Sequence, residues 1–450
     1  MWLTRFRGDG AVLGIQTLIE KGFAFLTILL LTGFMGVLTV GVFGIPSDSA
    51  SGGNPIEQAL WSGIYLVTFF FLLLRYKRVL YVVASNKIMW LLIGLLVALT
   101  LLSFLWSQNP GTTVRNSIAL AGTTLFGGYL ATRYSWREQL RMLAWALSIM
   151  AVLSLLYIVL GPSGGVATDP EGGVGMSGVF GHKQALGKSM ALAAMVFFIL
   201  AATARSHRWL LWVGCAGALV LVLLSESKGA LVLLLIFVPL WPMYKALRWR
   251  YTAAVPFLIA AVLLGSGAVI LLLINAETVL AALGKNTTLT GRTIVWSAVL
   301  DMIRERPWLG YGYSAFWRGS EGPSALISLI TGADFSNAHN AILSVWLDLG
   351  VFGVAVFLLC VSWAILRAIK CARLTRTADG LWPLTYLTFY TLNGFMEASS
   401  PQENDIMWVL FVAVALTPIT QHGSHGKITN DSGFAIKSPV RAGKDAWRAR

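Results

Sequence analysis

Twelve long stretches of mostly apolar residues, separated by shorter polar or basic segments, dominate this sequence. Each is close to the ~20 residues that a helix needs to cross ~30 Å of hydrocarbon. The runs are continuous and do not alternate between apolar and polar residues, so they predict membrane helices and not the strands of a barrel. The predicted spans are residues 23–44, 57–74, 88–106, 116–132, 142–160, 184–203, 209–224, 229–244, 252–274, 340–366, 381–396 and 404–420.

The composition excludes most other classes of protein. Only 12% of the 450 residues are charged and 56% are hydrophobic, whereas soluble domains carry about 25% charged residues. Three cysteines, at positions 215, 360 and 371, give no pattern typical of a structural disulfide or a thiolate metal site. The sequence therefore predicts an all-α, polytopic membrane protein.

Basic residues predict the orientation of this chain in the membrane. Of the 34 lysines and arginines, 25 lie in the loops of one side and nine in the loops of the other. By the positive-inside rule, the first side is cytoplasmic and both termini lie there. The net charge of +14 is then a topology signal and a contact with anionic membrane lipids, and we expect no nucleic-acid partner.

This orientation gives a simple domain organisation. We expect two cytoplasmic ends, two blocks of transmembrane helices and a long, partly helical outer loop between the ninth and tenth helices. The corresponding residues are 1–22 for the N-terminal segment, 23–274 for helices one to nine, 275–338 for the outer loop, 339–420 for helices ten to twelve and 421–450 for the basic tail.

Two outer loops are longer than a simple bundle needs, and loops of such length are usually functional or disordered. The first, 161–183, is rich in glycine and is a candidate lid. The second, 275–338, contains the segment 290–317, in which apolar residues recur at helical spacing. One face of this predicted helix carries Val295, Val299, Met302 and Ile303, and Pro307 ends it.

Two basic residues on the outer side are candidate anion ligands. Arg292 falls in the first turn of the predicted loop helix, where a cation opposes the helix dipole unless an anion binds there. It is either a phosphate clamp or a solvated surface arginine. Lys228 lies in the short turn SESKGA, and it either points into a wet cavity or pairs with Glu226.

Histidines mark two loop-to-helix junctions on the same side. His339 precedes the tenth span and is a candidate proton acceptor near neutral pH, or else a capping or packing residue. His182 and Lys183 precede the sixth span in the same way. The chain has no P-loop, dinucleotide turn, HExxH or Cys/His cluster, so we expect neither a cofactor nor a metal.

Four motifs in this order resemble those of the O-antigen ligase and exopolysaccharide polymerase superfamily, with the GHKxxLG element most similar to its exopolysaccharide-production branch. They are GVFGHKQALGKSMALAA (178–194), SESKGALV (225–232), TGRTIVWSAVLDMIRERPWLGYGYSAFW (290–317) and NAHNAILSVWLDLGVFG (337–353). The resemblance implies an inner-membrane glycosyltransferase acting on an undecaprenyl-diphosphate-linked sugar chain.

The resemblance also implies roles for individual residues. His339 matches the periplasmic histidine that is proposed to activate the acceptor hydroxyl in the ligases. Arg292 and Lys228 match two basic residues that hold the diphosphate, although ligases commonly have arginine at the second position. His182 and Lys183 belong to a motif and are candidates for the donor or acceptor site.

The expected function is polymerisation of lipid-linked repeat units at the periplasmic face of a bacterial inner membrane, by metal-independent glycosyl transfer. The expected partners are the lipid-linked oligosaccharide, a polysaccharide acceptor, a chain-length regulator and export machinery. Two alternatives stay open. One is ligation of a finished glycan to lipid A core, and the other is transport of a lipid-linked oligosaccharide.

Overall fold

The computed structural model describes residues 5–42, 54–161, 165–168, 174–249, 252–253, 256–257, 292–318, 322–331, 337–375, 377–397 and 400–419. Helices dominate this part of the chain, and two short strands, β1 (Val166–Thr168) and β2 (Val174–Met176), form an antiparallel hairpin. The helices are α1 (Arg5–Leu29), α2 (Pro55–Leu74), α3 (Tyr76–Ser85), α4 (Lys87–Leu102), α5 (Pro110–Arg133), α6 (Trp136–Leu160), α7 (Lys183–Thr203), α8 (Arg208–Leu224), α9 (Lys228–Ala246), α10 (Arg292–Glu305), α11 (Ser324–Thr331), α12 (Ala341–Leu374), α13 (Trp382–Met396) and α14 (Ile406–Leu416).

Eleven of the twelve predicted spans overlap one of these helices. The ninth, 252–274, lies almost entirely outside the described residues, so the number of twelve spans stays a prediction. Seven helical segments of the described chain are long and apolar enough to cross a membrane, and α8 and α14 are shorter apolar helices. The chain is therefore a multi-pass, mainly helical membrane protein.

One boundary differs from the sequence prediction, and one loop contains strands about which the sequence made no prediction. Residues 1–22 were expected to form a separate segment, but α1 begins at Arg5 and runs through residue 22, since no proline interrupts this stretch. The glycine-rich loop 161–183, a candidate lid, contains the β1–β2 hairpin, with Val166 opposite Met176. β-branched residues favour extended backbone there.

The two least apolar predicted spans, 116–132 and 381–396, lie inside the bundle as α5 and α13. Threonines lower their hydropathy, but several of the hydroxyls donate to a backbone carbonyl one turn earlier, as Thr123 does to Ala119 and Thr388 to Leu384. Such bonds satisfy the hydroxyl group within its own helix. These helices tolerate polar residues because much of their surface contacts protein and not lipid.

The last predicted span, 404–420, contains a helix that is too short to cross a bilayer. All eleven residues of α14 are buried, and a helix of that length is only about 16 Å long. The backbone N–H of Asn404 donates to the Thr123 hydroxyl at 3.0 Å. Thr123 lies 13 residues into α5, about 20 Å from its start, so residues 400–405 descend toward the middle of the bundle as non-helical chain.

Non-helical backbone at membrane depth is tolerated only where protein buries it or where it lines a water-filled cavity. Here the side chains of the descending segment bond to neighbouring helices and loops. The Tyr65 hydroxyl donates to the Asn404 side chain, and the Tyr313 hydroxyl donates to Glu403 at 2.7 Å. Both acceptors are half-buried. We call the end of the bundle where α12 begins the His339 end. Residues 400–405 descend into the bundle from this end.

Gly350 breaks α12 into two parts. Its φ and ψ of 66° and −166° are accessible essentially only to glycine, and a Cβ there would overlap the Trp308 carbonyl. The loop after α10 forms hydrogen bonds with the backbone groups that the break leaves without helical partners. Val351 N–H donates to Pro307 O at 2.9 Å, and Tyr311 N–H donates to Leu347 O at 2.7 Å. The first part of α12 packs against α10.

A buried carboxylate joins three helices at the opposite end of the bundle. The Glu20 side chain on α1 is 1% exposed and accepts from Arg75 Nη2 at 2.8 Å and from Arg133 Nε at 2.6 Å. Arg75 follows α2 and Arg133 ends α5. Because loss of either partner of a buried ion pair leaves an uncompensated charge, this cluster fixes the positions of the three helices.

Replacement of Gly350 by alanine should destabilise the protein by about 3 kcal/mol or more, since it adds backbone strain and overlap with Trp308. The measurement is the apparent melting temperature of the purified protein in detergent, followed by tryptophan fluorescence. Gly94→Ala is the matched control, because Gly94 lies within α4 with open space around its Cα. Equal melting temperatures for the two variants would contradict the assignment of strain to Gly350.

Candidate functional site

All five residues selected from the sequence lie at the starts of helices. His182 is the N-cap of α7 and Lys183 is its first residue, while Lys228 is the first residue of α9. Arg292 is the first residue of α10, and His339 precedes Asn340, the N-cap of α12. Helix N-termini carry partial positive charge and unpaired N–H groups, so cations there add to an existing preference for anions.

The starts of α7 and α9 are in direct contact. A Cβ on Gly187 of α7 would lie 2.9 Å from the hydroxyl oxygens of Ser225 and Ser227, so only glycine permits this approach. The β2 strand covers the same place. The Cδ of Lys183 lies 2.8 Å from the position that a Cβ would take on Gly175. The GHKxxLG and SESKGA motifs, distant in sequence, therefore form one surface.

The start of α9 also reaches the end of α13. The Sδ of Met396 lies 3.7 Å from the position of a Cβ on Gly229, the residue after Lys228. The residue that follows α13, Glu397, has its Oε2 atom 3.1 Å from His339 Nδ1, within hydrogen-bonding distance. The His339 and Glu397 side chains are 18% and 22% exposed, so solvent and ligands can reach both.

The first turns of α10 lie close to the residue before His339. The indole N–H of Trp296 donates to the carbonyl of Ala338 at 2.9 Å, directly before His339. Arg292 precedes Trp296 by about one helical turn on α10. The start of α9 thus adjoins the end of α13 at Gly229 and Met396, Glu397 adjoins His339, and Ala338 adjoins α10 at Trp296.

The predicted apolar face of α10 is confirmed. Val295, Val299, Met302 and Ile303 are all buried, and they pack with Tyr311, Phe316, Ala338 and Leu347 in a small core separate from the main one. The helix ends at Glu305, as the proline at position 307 predicts. This core holds α10 against the start of α12.

The turn before α12 fixes the backbone of His339. His339 has a positive φ of 47°, which is uncommon for residues other than glycine. Its N–H donates to the Asn337 side chain at 2.8 Å, and the Asn340 side chain accepts from Ile342 N–H at 3.0 Å. Two asparagines therefore hold the histidine in its unusual conformation.

Two buried tyrosines anchor the loop that follows α10. The Tyr311 hydroxyl donates to Glu305 at 3.0 Å, and the Tyr313 hydroxyl donates to Glu403. Burial is the main cause that raises the pKa of both tyrosines above the ordinary value, and the neighbouring carboxylates raise it further. Both hydroxyls therefore remain protonated hydrogen-bond donors throughout the physiological pH range.

Sequence reasoning missed Glu397 and Glu403, the carboxylates of this region. One signal was available, because both follow the apolar helix α13 in a chain with few acidic residues. Their partners His339 and Tyr313 lie 58 and 90 positions away. Within the described residues, no group of three His, Cys, Asp or Glu side chains could hold a metal ion.

Comparisons with known proteins bear on this site. A protein-family model described as O-antigen ligase matches residues 213–358, which include Lys228, Arg292 and His339. The exopolysaccharide production protein ExoQ of Rhizobium meliloti (strain 1021) is 26% identical over 254 residues, covering 54% of this chain and 56% of that relative. The matched part is thus about half of each protein.

Replacement of Gly187 by valine should separate the starts of α7 and α9, because the added side chain overlaps both serines of the SESKGA turn. We expect at least a tenfold loss of the chain's activity in membranes, with a normal level of folded protein. Gly217→Val is the control, since Gly217 of α8 has no atom close to its Cβ position. Equal activity of the two variants would show that the contact is unimportant.

Proposed function

Because the chain belongs to the O-antigen ligase and exopolysaccharide polymerase superfamily, we propose that it polymerises undecaprenyl-diphosphate-linked oligosaccharide repeat units into exopolysaccharide or O-antigen. The observation that carries this proposal is that the starts of α9, α10 and α12, where Lys228, Arg292 and His339 lie, adjoin through neighbouring residues at one end of the bundle. The relative named for exopolysaccharide production favours a polymerase over a ligase.

The proposed location is the bacterial inner membrane, with the His339 end facing the periplasm and both termini in the cytoplasm. The distribution of 25 and nine basic residues between the two sets of loops supports this orientation. The lipid carrier then presents its diphosphate at the level of the outer headgroups. A compartment without ATP suits the reaction, since the lipid-diphosphate linkage itself supplies the free energy.

The proposed reaction is a direct displacement at the anomeric carbon of the donor sugar. A hydroxyl oxygen of the acceptor glycan forms the new bond, and the bond to the diphosphate oxygen breaks, with its electron pair leaving on the diphosphate. Arg292 and Lys228 stabilise the charge on the leaving group, and His339 takes the hydroxyl proton. The anomeric configuration inverts. Diphosphate is a good leaving group, so the step needs no metal.

Further partners follow from the product. We propose that His182 and Lys183, which adjoin the SESKGA turn through α7 and β2, contact the donor or the acceptor glycan beside the diphosphate. A polymer that grows at the periplasmic face also needs a chain-length regulator and export machinery.

His339→Ala should abolish chain growth, because general-base catalysis contributes about 10²–10⁴-fold. The measurement uses purified protein in detergent or liposomes with lipid-linked repeat units, and gel analysis of the products. Wild type should give a ladder of repeats, whereas a single transfer to a lipid A core acceptor would indicate the ligase. A ladder of wild-type intensity from His339→Ala would refute the assignment of the base.

Arg292→Ala should weaken binding of the lipid-diphosphate donor by about tenfold or more, because a charge-assisted bond to phosphate is lost. The measurement is the dissociation constant for the donor in nanodiscs. Arg304→Ala is the matched control, since Arg304 lies in the last turn of the same helix and pairs with Asp301 in an exposed ion pair. Unchanged donor affinity in Arg292→Ala would contradict the proposed clamp.

A further inference from the structure

We infer that Glu397 is a positioning residue that fixes the tautomer of His339 and makes Nε2 the atom that accepts the proton. This inference rests on the proposed function, in which His339 is the base. The carboxylate of Glu397 has no proton to donate when ionised, so the 3.1 Å bond to His339 Nδ1 requires the proton on Nδ1. In the neutral imidazole the lone pair is then on Nε2.

Both members of the pair are held by regular structure. The N–H of Glu397 donates to the carbonyl of Asn393 at 2.7 Å, which continues the hydrogen bonding of α13 by one residue. His339 is held by the turn of Asn337 and Asn340 before α12. Since α12 and α13 pack against each other, the separation of imidazole and carboxylate is set by the packing of two helices.

Partial burial makes the electrostatic interaction within the His339–Glu397 pair stronger than that of a surface ion pair. The side chains of His339 and Glu397 are 18% and 22% exposed, whereas those of Arg304 and Asp301 are 76% and 63% exposed. An exposed pair is screened by water and salt and contributes little. The less exposed carboxylate acts through a lower local dielectric, where its charge stabilises a neighbouring cation more strongly.

The role of Glu397 in the reaction follows from the charges. When the acceptor hydroxyl gives its proton to Nε2, the imidazole becomes a cation with both nitrogens protonated. Glu397 stabilises that cation and stays ionised, so no proton reaches the carboxylate. The electron pair of the broken bond leaves with the diphosphate, and the imidazolium later releases its proton to solvent. Glu397 therefore lowers the barrier without contact with the substrate.

The test compares Glu397→Gln and Glu397→Ala in the polymerisation assay, with Asp301→Asn as the matched loss of an exposed carboxylate. We expect kcat to fall by about 10²–10⁴-fold in both Glu397 variants, with KM for the lipid donor changed less than about threefold. Asp301→Asn should keep wild-type kinetics. Formate should partly restore kcat in Glu397→Ala, because a small carboxylate can occupy the vacated position, and should not change the other proteins.

Two outcomes would overturn the inference. One is a kcat within threefold of wild type in both Glu397 variants. The other is a loss of kcat that formate does not restore, accompanied by an equal loss in melting temperature, which would indicate a structural role. Glu397→Gln keeps the shape of the side chain, so it remains informative if Glu397→Ala does not fold.

A third variant separates this inference from the proposed function. If His339→Ala is fully active, the proposed base is wrong and the role of Glu397 fails with it. If His339→Ala is inactive while Glu397→Gln is active, only the positioning role fails. In the double variant His339→Ala, Glu397→Gln, we expect no loss beyond that of His339→Ala alone, because the carboxylate acts through the imidazole.

Discussion

Every backbone N–H and C=O group of a chain that crosses a bilayer must find its partner within the protein, because hydrocarbon offers none. This constraint explains the helical architecture and also its exceptions. Four threonines of α5 and α13, at positions 123, 124, 388 and 391, donate to carbonyls of their own helices. Where the chain leaves helical geometry within the bundle, at residues 400–405, side chains from other elements bond to it.

The same constraint places the candidate site. Helices that end at the membrane boundary leave N–H groups without partners, and the sequence puts cations or histidines at the starts of α7, α9, α10 and α12. These starts adjoin one another at the His339 end. Helix starts carry partial positive charge, and the His339–Glu397 pair lies beside them.

Hydropathy predicted most of the architecture, because contact with lipid selects apolar residues over a fixed length. It predicted less well where helices face protein. The span 404–420 is apolar enough to suggest a full crossing, but only Ile406–Leu416 is helical, since buried apolar residues look the same in sequence as lipid-facing ones. The hairpin in 161–183 was missed because its strands are only three residues long.

Sequence reasoning selected some residues of the candidate site and missed others. Arg292 and His339 stand out because helix starts have local sequence signals. Glu397 could not be assigned to His339, because their contact depends on how α12 and α13 are aligned, and a single sequence does not reveal the relative height of two helices. The three-dimensional structure is needed to see that His339, before α12, lies next to Glu397, after α13.

The short helix α14 has a consequence for biogenesis. A segment of eleven apolar residues is too short to partition stably into lipid by itself during translocation. It is also the last helix of the described chain to leave the ribosome. The groove that receives it, formed largely by α5 and α13, must therefore already exist, so this last described helix is inserted by docking onto preassembled helices.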